Sequence, residues 1–265
     1  EFNVSLIQRS TRHFKVTPLG QEFYAECSKI IEQADQAQNV LLKQKNEPKG
    51  LIKLSCPPVM MEHQIRPLLN QFLKDHPHVD VEMELTSRRV DVLHDDIDLA
   101  IRTNFGVNED SSIIVRDVVK TTHCLVISPE LLQGRTIEHV TQINDYPTIV
   151  LGKQKAHYHW HLHNLKYQDE IKILLEPRIK SNDLAGVYYA VLDGLGIADL
   201  PYLTVKEDIE AGRLIHLLPD WCSNLGTVQL VYSSRKGQRL VMEKLIEHLI
   251  EGVRNYAPTQ EGYLI

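Results

Sequence analysis

Six apolar positions, Phe23, Cys27, Ile30, Ala34, Ala37 and Leu41, recur at spacings of 4, 3, 4, 3 and 4 residues. That period is the narrow seam of a coiled coil, not the broad stripe of a helix lying on a core. The helix it predicts starts at Thr17, a good N-cap, with Pro18 at the tolerated first position. It ends before Asn46, Pro48 and Gly50, which together break a helix. A seam running through residues 17–48, outside any domain, needs a partner helix, so a second copy of the chain is the expected neighbour. Upstream, residues 5–9 and 13–16 read as the two strands of a small hairpin with Ser10, Thr11 and Arg12 at its tip.

From Gly50 the period changes. Strands are expected at 51–55, 79–86 and 98–102, with helices at 59–74 and 88–95 between them. Such alternation implies a parallel sheet covered by helices. Residues 113–119 and 123–127 read as two further strands, the second leading into a new unit. There, extended runs at 148–151, 157–162, 171–175, 177–181, 196–200, 214–217 and 227–232 are interrupted by helices at 183–192 and 205–211. Residues 238–254 close the chain as a helix. The order fits an α/β fold of two lobes joined by crossing strands. Gly194-Leu195-Gly196 ends a helix before a strand, so a C-cap is expected there and not a nucleotide loop.

Composition narrows the function. The net charge of −6 excludes nucleic acid coating the whole surface, yet Arg9, Arg12 and Lys15 oppose only Glu1 in the first sixteen residues. No apolar run is long enough for a membrane helix, and Asn3, Gln8, Arg9 and Arg12 interrupt any signal-peptide core. Cys27, Cys56, Cys124 and Cys222 lie far apart, as reduced thiols of a cytoplasmic protein do, and offer no close pair for redox sensing. No P-loop, Ser–His–acid or metalloprotease pattern occurs, so neither an enzyme nor a cofactor is expected.

Three segments carry a family resemblance: residues 4–12 with Val16-Thr17-Pro18-Leu19-Gly20, then Asp98-Leu99-Ala100-Ile101-Arg102, then residues 193–201, DGLGIADLP. In this order the chain resembles LysR-type transcription regulators over nearly its whole length. The resemblance implies a periplasmic-binding-protein-like effector domain over 49–265, with lobe I at about 49–121 plus 227–255 and lobe II at about 122–226. It implies that 17–48 is the dimerising linker helix and 1–16 the wing of a winged helix-turn-helix. Because Glu1-Phe2 is similar to the tail of the recognition helix, about the first forty-five residues of that head are expected to be absent. The implied partners are DNA, a small effector, and copies of the chain in a homodimer or homotetramer.

Arg9, Thr11 and Arg12 at the hairpin tip then suit contact with DNA phosphates, against the plainer reading of a solvated turn. Ser55 and Pro57, Thr86 and Ser87, and Arg102, Thr103 and Asn104 follow successive strands. In open α/β sheets ligands sit beyond such carboxyl ends. Ser55, Thr86, Ser87, Arg102 and Thr103 match the family's effector cleft, and Ser181-Asn182 holds the equivalent place in the second lobe. A small polar or anionic ligand is the expected occupant. Serines and threonines at these places also cap helices, and Arg102 has an alternative partner in Asp98. His157, His159, His161 and His163 share one face of their strand, but with no acid nearby they read as a polar face and no metal is expected; Trp160 opposite should pack. The competing reading is a solute-binding transport protein of the same two-lobed shape, which an export signal would favour and the coiled-coil seam opposes.

Overall fold

The computed structural model describes residues 4–9, 14–45, 47–106, 113–152, 157–233 and 239–257. The hairpin tip with Thr11 and Arg12, and the side chain of Arg9, lie outside the described residues. Strands β1 (Ile7–Arg9) and β2 (Phe14–Val16) pair antiparallel, Gln8 opposite Lys15. They lead into α1 (Pro18–Lys45). Thr17 caps it as its type requires: the hydroxyl accepts from Gly20 N–H at 3.0 Å and donates to the Leu6 carbonyl at 3.1 Å. A Cβ on Gly20 would stand 2.1 Å from that carbonyl. Thr17 and Gly20 thus weld hairpin to helix, which gives the Thr-Pro-Leu-Gly run a physical cause.

Beyond Gly50 come β3 (Gly50–Cys56), α2 (Pro58–Met60), α3 (Arg66–Asp75), β4 (Val79–Leu85), β5 (Leu99–Asn104) and β6 (Ile113–Ile127). Strand β3 lies parallel between β4 and β5. The helix expected over 59–74 is interrupted by π-type turns at Met61–Ile65. Pro67 is the cause: it has no N–H for the carbonyl four residues back, and its ring crowds that carbonyl. The helix expected at 88–95 is absent. Asp91 accepts from Leu93 N–H and bonds His94, while Asp95 accepts from Asp91 N–H and Arg88. These short acidic side chains satisfy the backbone locally and outcompete a helix. The segment still buries Val90, Val92 and Ile97 against Ala100 and Val231.

The second half contains α4 (Pro129–Leu132), β7 (Thr148–Leu151), β8 (Tyr158–Asn164), β9 (Glu170–Leu175), β10 (Ile179–Ser181), α5 (Leu184–Leu192), β11 (Ile197–Pro201) and α6 (Tyr202–Glu210). It is followed by β12 (Ile215–Leu217), β13 (Trp221–Cys222), β14 (Leu225–Ser233) and α7 (Leu240–Tyr256). The two strands expected at 113–119 and 123–127 are one strand. β6 pairs with β14 as far as Thr122, then with β11 from His123, so its ladder changes partner without a gap. One sheet runs β10-β7-β11-β6-β14-β5-β3-β4, and β8, β9 and β13 form a smaller one.

Burial follows the apolar pattern. Ile52, Leu54, Leu99 and Leu230 meet Phe72, Leu245 and Leu249 of the helices. Trp160 packs with Leu125, Ile127 and Val150 beneath the small sheet, and Val187, Val191 and Leu200 fill the opposite face. Each such side chain contributes about 1.5–3 kcal/mol on leaving water. Gly194, at φ +71°, closes α5: its N–H reaches the Val191 carbonyl and Leu195 N–H that of Ala190. Gly196 is needed for approach, since a Cβ would meet the Pro147 carbonyl at 2.7 Å.

His216 on β12 is held neutral, its pKa lowered from 6.5 to about 4 by burial. A depressed imidazole gives stability that is fully present above 6.5 and lost as pH falls toward 4, because the unfolded chain takes the proton first. The expected loss between pH 7 and 4 is about 2–3 kcal/mol at 1.4 kcal/mol per pH unit. Urea melts of His216→Phe should show a flatter acid limb than the parent; equal slopes would show that this ring does not contribute.

Candidate functional site

The carboxyl ends of β3, β4 and β5 gather along one sheet edge, as parallel topology demands, and open into a cavity of ≈ 390 Å³. Of the residues expected there, Ser55, Pro57, Thr86, Ser87, Arg102, Thr103, Asn104 and Asn182 line it. Ser181 does not. Its hydroxyl accepts from Asp183 N–H and donates to the Asp183 carbonyl, both at 3.0 Å, closing the turn before α5. Asp183 in turn caps that helix through Ala185 and Gly186. Thr86 has a structural duty besides its place in the wall, accepting from Arg88 N–H at 3.2 Å.

Asp98, the alternative partner for Arg102, is engaged by other groups. Asp98 accepts from Lys53 N–H at 2.9 Å and sits 3.0 Å from the Arg239 guanidinium at the start of α7. Arg102 stands on β5 opposite Gln229 of β14, half-buried in the cavity wall.

The structure adds wall residues that sequence reading missed. Gln64 comes from the π-type turns, and Thr121 and His123 come from β6 where it changes partner. Gln64 Oε1 and Thr121 Oγ1 are buried without a hydrogen-bond partner among the described residues. Such atoms cost about 1–3 kcal/mol unless something meets them. His123 is oriented from behind: its Nδ1 lies 3.2 Å from Asp199, which also accepts the Ser223 hydroxyl at 2.5 Å. Pro67 was a legible signal for Gln64's altered direction, whereas nothing in sequence marks Thr121 as a wall residue.

The cavity is bridged at its rim. Tyr189 of α5 donates to Glu62 at 3.2 Å, and the rings of His63 and Tyr188 meet edge-on at 4.8 Å. The Glu62 carboxylate holds the Tyr189 hydroxyl above its ordinary pKa. Met60, Phe105, Leu151, Leu184 and Leu203 give the remaining walls an apolar part, and Arg88, Arg89 and Thr204 add polar groups. A small pocket that sets polar groups among apolar walls selects a ligand by orientation.

The profile of the family described as LysR substrate binding domain matches residues 45–254. The chain belongs to the LysR family. Similar LysR-type relatives include an uncharacterized HTH-type transcriptional regulator of Haemophilus influenzae, 28% identical over 87% of this chain and 79% of its own length. The HTH-type transcriptional regulator DmlR of Escherichia coli is 27% identical, over 96% and 83%. Among solved structures, the regulatory domain of AphB in Vibrio vulnificus superposes with TM-score 0.65 at 25% identity, covering 77% of this chain and 99% of that one. CrgA from Neisseria meningitidis, at 21% identity, shares the fold, with TM-score 0.69 over 94% of this chain and 84% of its own. The chain is thus a LysR-type transcription regulator with the two-lobed effector fold, and the solute-transport reading is not favoured.

The remaining expectations can be placed against this family. Cys56, Cys124 and Cys222 are buried, and burial pushes all three thiols up, away from the reactive thiolate. No helix among the described residues is long and apolar enough to cross a membrane. The alternating histidines need a correction: the sequence offered no acid beside them, but β9 brings Glu170 within 3.2 Å of both His161 and His163.

Proposed function

We propose that this LysR-type regulator senses a small polar or anionic effector in the cavity where Ser55, Pro57, Thr86, Ser87, Arg102, Thr103, Asn104 and Asn182 converge with Gln64, Thr121 and His123. The observation that carries this reading is the pair of buried, unpartnered polar atoms on Gln64 and Thr121 in the cavity wall. A ligand offering hydrogen bonds there removes their desolvation cost, and an anionic group gains from the Arg102 side chain. A thermal-shift screen of small metabolites tests it, since a ligand of the folded state raises the melting temperature. Effectors whose shift survives both Gln64→Leu and Thr121→Val would move the site elsewhere.

The same reading assigns residues 17–48 to dimerisation, 49–265 to effector sensing in a cytoplasmic, non-catalytic protein, and 1–16 to DNA. Basic side chains on a hairpin reach phosphates and not base edges, so Arg9, Thr11 and Arg12 would supply salt-sensitive, sequence-indifferent contacts. The exposed seam supports a homodimer. Phe23, Ile30 and Leu41 are 55%, 66% and 66% accessible, and Tyr24, Ile31 and Val40 widen the stripe. Ile30→Glu with Leu41→Glu is expected to weaken association at least tenfold by sedimentation velocity, because each would bury a charge in the seam. Unchanged oligomers would show that the seam is not the main interface.

A further inference from the structure

Outside the effector cavity, the exposed face of the small sheet carries a cluster that regulator function does not absorb. Strands β8 and β9 pair antiparallel with His163 opposite Glu170 and His161 opposite Lys172. His161 Nε2 lies 3.2 Å from one Glu170 oxygen and His163 Nδ1 lies 3.2 Å from the other. The two imidazoles are 4.6 Å apart between centroids, tilted by 47°. One ligand atom from each of the three residues falls within 4.8 Å of the others. We propose that His161, His163 and Glu170 bind a divalent transition-metal ion of the zinc class.

The chemistry of the donors selects the ion. Two imidazoles and one carboxylate are borderline ligands that suit zinc, nickel or copper, whereas calcium and magnesium take oxygen alone. Metal–ligand bonds of about 2.0–2.2 Å in a tetrahedral site put donor atoms about 3.4 Å apart. The widest donor separation of 4.8 Å therefore closes by about 1.4 Å at most, which half-exposed side chains reach by rotation. The backbone ladder already fixes the three Cα positions, so little main-chain entropy is lost on chelation. Without an ion, the plainer state is two imidazoles hydrogen-bonded to one carboxylate. Lys172 stands opposite His161 on the same face, and its long stem can turn its ammonium away. With three protein ligands the ion keeps at least one position for water, and it ties β8 to β9.

Zinc chloride titrated into the full chain at pH 7.5 tests the site by calorimetry and melting. The wild type is expected to take one more equivalent than His161→Ala/His163→Ala and to gain a melting shift that the double variant lacks. Glu170→Gln, which leaves both rings in place, should weaken that equivalent about tenfold. Equal stoichiometry and affinity in wild type and double variant would overturn the proposal. So would a wild type that takes up no zinc at about 100 µM, a concentration at which a ligand of the folded state with that dissociation constant already shifts melting. Should the double variant misfold, the comparison rests on Glu170→Gln, and unchanged binding there counts against the carboxylate as a ligand and against the site.

Discussion

Replacing Gln64 by leucine is expected to raise the melting temperature of the ligand-free protein while weakening effector binding about tenfold. The two effects share one cause. Gln64 is 4% accessible, and its Oε1 has no partner among the described residues. An unmet buried acceptor costs about 1–3 kcal/mol, and an apolar side chain of similar volume relieves it. At 2–4 °C per kcal/mol for a domain of this size, the gain is a few degrees. The effector loses the hydrogen bond that justified the glutamine, and 1.4 kcal/mol is a tenfold change in affinity. Core glutamines of purely structural use give the opposite first sign. A variant that melts lower, or one that melts higher yet binds an effector with full affinity, would show that Gln64 does not serve the ligand.

Arg239→Met should cost about 3 kcal/mol, or roughly 6–12 °C in melting temperature. Asp98 is 7% accessible and lies beneath β3, anchored by the Lys53 N–H and the Arg239 guanidinium. Arg239 also donates to the Leu51 carbonyl at 3.2 Å, pinning the start of α7 to β3. Removing the cation leaves a carboxylate out of water without its guanidinium, which is the expensive way to break a buried pair. Arg102→Met should cost much less, because Asp98 keeps its Lys53 and Arg239 contacts in that variant. Chemical denaturation of both variants distinguishes the two arginines; equal losses would return Asp98 to Arg102.

The outline of this fold was legible because its signals are local. Thr17, Pro18 and the break at Pro48 bound one helix, and runs such as residues 98–102 leave little choice but a strand. The misreadings arose where a single side chain redirects the backbone. Asp91 and Asp95 turn an apparently helical stretch into a knot of side-chain hydrogen bonds, and Pro67 opens π-type turns inside a helix whose apolar spacing looks unbroken. The site was legible on the strand ends, which topology alone brings together. Thr121 and His123 were not, since each acquires its meaning from a strand distant in sequence, β14 and β11; Glu170 was not, since only the register of β8 on β9 sets it beside His161 and His163.

The change of partner along β6 has a mechanical consequence. Thr122 is still laddered to β14 when His123 begins its ladder to β11, so no unbonded residue separates the two halves on this strand. A connection hydrogen-bonded on both sides of its crossing point resists bending open like a jaw, but it yields to rotation about its own axis. The side chains flanking that point, Thr121 and His123, are also walls of the cavity. A ligand seated there is a wedge against a torsion bar, and the quantity it sets is the twist of one half relative to the other.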